Sequence, residues 1–139
     1  MSGRQRTASF LVAAAQDLEH LREDDPDLPG LALGKVRELE AGAIEGEPLQ
    51  EMAVTGDLAD CRKLYFGKGN PPSHRIVYRH LDGGAIEVLE IVAVEAREEM
   101  YAYLLAAVRL GRLPEESRPR FNRLRQAAIG RRSSRRRPT

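Results

Sequence analysis

The chain has 139 residues, of which 42% are hydrophobic but only 5% aromatic with no tryptophan, and its formal net charge is +1. This length fits one domain of ordinary size plus an appendage, with an aliphatic core. A lone Cys61 excludes an internal disulfide, the dispersed His20, His74 and His80 make no zinc pattern, and the longest apolar runs fall far short of the roughly 20 residues that span a bilayer.

The net charge conceals a division. Residues 1–111 hold 12 basic and 19 acidic side chains, a balance of −7, whereas 112–139 hold 10 arginines against Glu115 and Glu116, a balance of +8. An acidic body with a basic tail suggests that the tail meets an anion: nucleic acid, a partner, or the body itself. The start, Met1 to Thr7, leads into a run too short and too soon acidic for a cleaved export signal, so a cytoplasmic location and no membrane are expected.

In chain order, 8–12 is a short strand candidate that could equally begin the following helix. From 13 to 23, Ala14, Leu18 and Leu21 recur at helical spacing. The stretch Asp24 to Gly30, with Pro26 and Pro29, stops that helix. Ala32, Val36, Leu39 and Ala43 then predict a second one, ended by Gly42 and Gly46. After a connection through Gly56-Asp57 comes a strand over 62–66, with Arg62, Leu64 and Phe66 on one face and Lys63 and Tyr65 on the other. A glycine-proline loop leads to a strand over 74–79, which places Arg75, Val77 and Arg79 on one face and Ile76, Tyr78 and His80 on the other. The turn Leu81-Asp82-Gly83-Gly84 supplies glycines for a tight hairpin. The following run, Ile86 to Val94, becomes apolar on both faces, as in a covered central strand. A helix is expected from Glu95 to Leu110, with Met100, Leu104 and Ala107 as its apolar stripe. Beyond Gly111, Phe121, Leu124 and Ala128 predict a short basic helix ending at Gly130, and 131–139 reads as disordered.

The ordered set Gly56-Asp57-Leu58, Cys61-Arg62-Lys63-Leu64, Arg75-Ile76-Val77-Tyr78-Arg79, the apolar strand, Arg97-Glu98-Glu99-Met100-Tyr101 and Arg109-Leu110 resembles the RelE/ParE toxin superfamily over about residues 8–111. The resemblance implies an α+β fold: a helical hairpin on a curled antiparallel sheet of three or four strands, a closing helix, and here a basic arm over 112–139. It also implies the toxin of a type II toxin–antitoxin pair. One branch of the family cleaves messenger RNA on the ribosome as an mRNA interferase, and another poisons DNA gyrase without cleaving RNA. The partners implied are a cognate antitoxin, with ribosome and mRNA or with gyrase.

RNA cleavage by 2′-hydroxyl attack needs groups that orient the nucleophile and hold charge growing on the phosphate, a task suited to arginine's planar, two-pronged donors. By resemblance, Arg75 is the phosphate clamp and Lys63 the basic residue that eases 2′-hydroxyl deprotonation, with Arg97 and Tyr101 completing the catalytic set. No metal or cofactor is expected. Arg62, Tyr65, Arg79, Arg131, Arg132, Arg135, Arg136 and Arg137 are candidates for nucleic-acid contact. A structural reading stands beside this one: Arg97 and Tyr101 seating the helix, Arg62, Lys63 and Arg79 solvated, Tyr78 and Cys61 packed. The departure from the family is Glu95, where the RNA-cleaving branch commonly has an arginine. At about 6 Å and an effective dielectric of about 20, a carboxylate would repel a phosphate by roughly 3 kcal/mol. A gyrase-directed binder, or a nontoxic regulatory or nucleic-acid-binding relative, therefore remains open.

Overall fold

The computed structural model describes residues 5–49, 54–84, 86–96 and 100–136, with the side chains of 133–136 set aside. Among these, the elements run β1 (Gln5–Phe10), α1 (Val12–Asp24), α2 (Leu28–Glu40), β2 (Glu47–Pro48), β3 (Cys61–Phe66), β4 (His74–Gly83), β5 (Ile86–Ala96), α3 (Tyr101–Arg109), a 3-10 turn (Glu115–Ser117) and α4 (Arg118–Arg136). The α+β class holds. The sheet has five strands in the order β1-β5-β4-β3-β2 and is mixed, because β1 lies parallel to β5. The expected antiparallel sheet of three or four strands is thus corrected. The weak strand signal at 8–12 belongs to Gln5–Phe10, and pairing of Gln5 with Ile86 through Phe10 with Ile91 draws it in.

Other boundaries shift for local reasons. Pro29 sits in the first turn of α2, where its missing N–H costs nothing, so α2 begins at Leu28. At the hairpin, Gly83 pairs with Ile86, and Gly84 takes φ 80°, which a side chain would resist. Glu95 and Ala96 extend β5 instead of opening the closing helix.

Two apolar layers sandwich the sheet. On one face, Ala14, Leu21, Ala32, Val36 and Leu39 of the helical hairpin pack on Phe66, Ile76, Tyr78, Leu89, Ile91 and Val94. On the other, α3 packs on Val77, Val92 and Ala93. A register shift where Val77 and Tyr78 of β4 meet Ala93 and Ile91 of β5 leaves Val92 as the extra residue, so Val92 and Ala93 both face α3. The same shift turns Glu95 toward the α3 side.

The C-terminal segment departs most from expectation. α4 continues through Gly130 to Arg136, which corrects both the short helix and the disorder expected over 131–136. Its Phe121, Leu124 and Ala128 are buried against α3, each large apolar side chain contributing about 1.5–3 kcal/mol. Arg132 then ties the helix to Glu95 and Asp24. With the sheet beneath it and α4 above, α3 is buried from Tyr101 through Ala107 instead of along one stripe.

Candidate nucleic-acid interface

Strand alternation and register build the site. On β3, Lys63 and Tyr65 point to the α3 face, and Tyr65 lies opposite Arg75 of β4. From α3, Tyr103 reaches the same place. The Arg75 guanidinium lies 5.0 Å from the ring centre of Tyr65 and 5.0 Å from that of Tyr103. Lys63 Nζ lies 5.6 Å from the Tyr65 ring and 6.0 Å from the Tyr103 ring. Two cations and two phenol rings therefore form one cluster, each cation–ring contact contributing about 0.5–2 kcal/mol.

Carboxylates lie opposite both cations in the sheet register, Glu47 opposite Lys63 and Glu95 opposite Arg75. Among the described residues Lys63 and Arg75 make no ion pair with a carboxylate, and Arg75 Nε is buried without a hydrogen-bond partner. Burial works against the Lys63 ammonium, but the Tyr65 hydroxyl and the nearby Tyr103 and Glu47 raise its pKa above the ordinary value. Lys63 is therefore a lasting positive charge at neutral pH. Burial pushes the Tyr103 phenol up, partly offset by Arg75 and Lys63, so it stays protonated.

The other expected site residues go elsewhere. Arg62 points to the hairpin face and donates to the Gly46 carbonyl at 2.7 Å, which removes it from the cluster. Gly46 has no room for a side chain: a Cβ would lie 2.6 Å from the Lys63 carbonyl and 2.9 Å from the Tyr78 hydroxyl. Arg79 is bound by the protein's own acids, its Nε 2.8 Å from Glu90 and a terminal nitrogen 3.6 Å from Asp60. Tyr101 is only 7% exposed and stacks on Phe121 of α4 at 6.2 Å between ring centres, with burial pushing its phenol up to about 12. Arg132 is held by Glu95, and Arg131 is exposed at the rim of a cavity of about 260 Å³ with Lys68, His74 and Glu95. Arg97, Arg137 and the side chains of Arg135 and Arg136 lie outside the described residues.

Two packed residues behave as the sequence suggested. Tyr78 is fully buried, donates to Glu45 and accepts from the Gly46 N–H at 2.7 Å. Cys61 is sealed, and burial pushes its thiol up to about 12.

Sequence reasoning missed Tyr103 and Asp17. Two helical residues differ by roughly 200° around the axis, so when Tyr101 faces α4, Tyr103 faces the sheet edge. A signal for Asp17 was present, a lone acid on the Ala14-to-Leu21 stripe. Its carboxylate is 2% exposed, takes both arms of Arg109 at 2.7 and 2.8 Å, and accepts from the Val94 N–H at 2.9 Å.

Chemically, the cluster offers a planar cation beside two aromatic rings with an ammonium alongside: donors for phosphate oxygens next to surfaces on which a base can stack. No helix among the described residues is long and apolar enough to cross a membrane. No protein-family model, curated protein or solved structure matches the chain.

Proposed function

We propose that the chain is the toxin of a type II toxin–antitoxin pair and acts in the cytoplasm as a ribosome-dependent mRNA endonuclease. The observation that carries this reading is the convergence of Lys63 and Arg75 on Tyr65 and Tyr103, with neither cation in an ion pair among the described residues. The order of elements supports it as well: an edge strand, two helices, the remaining strands of the sheet, then a helix closing one face.

In this mechanism Arg75 binds the scissile phosphate and stabilises charge that develops on its oxygens. Water takes the 2′-hydroxyl proton as the 2′-oxygen bonds to phosphorus and the bond to the 5′-oxygen breaks, and water returns a proton to that oxygen; Lys63, kept protonated by its surroundings, steadies the 2′-oxyanion. The Tyr65 and Tyr103 rings hold Arg75 flat and offer stacking area. An antitoxin that covers this face would silence the toxin.

A second reading is a binding toxin directed at gyrase, which would engage its target through the helical hairpin instead of the sheet face. It draws on Glu95, an acid opposite Arg75 where RNA cleavage calls for a cation. Cell-free translation with mapping of message ends decides. Codon-phased cuts that vanish in Arg75→Ala establish the endonuclease; intact messages beside inhibited supercoiling establish the gyrase binder.

A further inference from the structure

We infer that the cavity beside Lys63 is a nucleobase pocket that takes a guanine of single-stranded RNA, with the 3′ phosphate of that nucleotide on Lys63 and Arg75. The inference rests on the RNA-directed reading above and names what that site selects. The cavity measures about 330 Å³, with Pro48, Leu49 and Leu58 as apolar walls and Glu47, Thr55, Lys63 and Tyr103 as its polar groups. Apolar walls beside several convergent polar groups suit a small planar ligand that carries its own donors and acceptors. Lys63 and Tyr103 belong both to this cavity and to the cation–ring cluster, so one nucleotide spans the two without a gap.

Glu47 supplies the selectivity. It lies opposite Lys63 in the β2–β3 pairing, hence on the same face of the sheet. A carboxylate only accepts hydrogen bonds. Guanine presents N1–H and the N2 amine side by side, two donors for two oxygens, whereas the uracil edge places a single donor between two carbonyl acceptors that a carboxylate repels. A base reaches such a pocket only when unstacked, as in single-stranded RNA.

The test uses the purified full-length protein and isothermal titration with guanosine 3′-monophosphate, uridine 3′-monophosphate and inorganic phosphate. The guanylate should bind about tenfold more tightly than the uridylate, the discrimination of one two-pronged base contact. Glu47 is exposed, so Glu47→Gln keeps the fold. It should erase that preference while leaving phosphate affinity unchanged, and Lys63→Ala should weaken all three ligands. Equal binding of the two nucleotides, a preference that survives Glu47→Gln, phosphate binding as tightly as guanylate, or no nucleotide binding at all overturns the pocket. Intact messages in the translation assay together with Glu47-dependent guanylate binding would leave the pocket standing and remove the endonuclease.

Discussion

Glu95 of β5 and Arg132 of α4 hold each other: the guanidinium lies 3.2 and 3.3 Å from the two carboxylate oxygens, and 3.6 Å from Asp24. This acid is therefore matched by an arginine delivered from another helix. Glu95 also lies directly opposite Arg75 in the β4–β5 pairing, so the carboxylate held by Arg132 shares the sheet face that carries the cluster.

The pairing does not fully offset burial. Burial raises the Glu95 pKa above its ordinary 4.5 despite Arg132. The folded chain then binds more protons than the unfolded chain between 4.5 and the raised value. The stability this carboxyl contributes is complete below 4.5 and is lost as pH rises through the folded-state pKa. Glu95→Gln removes the titration, so the wild type should lose stability relative to the variant as pH climbs from about 4 to about 7. Urea denaturation across that range checks it, and a constant difference refutes it.

Arg75 lies 5.0 Å from each of two ring centres, and its planar guanidinium offers paired donors that a compact ammonium lacks. Arg75→Ala should lower message cleavage by about 10²–10³-fold, the usual loss for one transition-state donor. Arg75→Lys should recover little of it, because lysine lacks the planar fork. Single-turnover rates on ribosome-bound message measure both, and full activity in the lysine variant would contradict the assigned geometry.

Asp17 and Arg109 form a fork–fork pair inside the fold. Asp17→Ala leaves Arg109, 15% exposed, facing Val92 and no carboxylate among the described residues. The expected cost is about 3–5 kcal/mol in chemical denaturation. A loss below about 1 kcal/mol would mean that water replaces the carboxylate.

Phe121 anchors α4 on Tyr101. Phe121→Ala should cost about 3–5 kcal/mol if α4 unfolds together with the body. Hydrogen exchange separates the possibilities: selective loss of protection over α4 with an unchanged sheet would show that α4 detaches on its own.

Much of the fold was legible because it is written in short-range periodicity. The spacing of Ala14, Leu18 and Leu21 marked α1, the alternation of Lys63 and Tyr65 against Arg62 and Leu64 sorted β3 into faces, and the glycines after Leu81 marked the hairpin. These signals depend only on how a helix or strand repeats. The class, α+β, followed from their order.

What tertiary structure alone decided is which face meets which partner. Pairing of Gln5 with Ile86 joins residues far apart in sequence, so no local pattern announces a parallel edge strand. The irregularity at Val92 changes the face of every later β5 residue, and with it the surroundings of Glu95. Tyr101 and Tyr103 were equivalent letters on one helix until α4 covered the first and the sheet edge received the second. Sequence by itself determined the elements and the supply of cations and rings. Long-range packing, which fixes burial and direction together, determined that Lys63 and Arg75 meet the Tyr65 and Tyr103 rings while Arg62, Arg79 and Arg132 serve the fold.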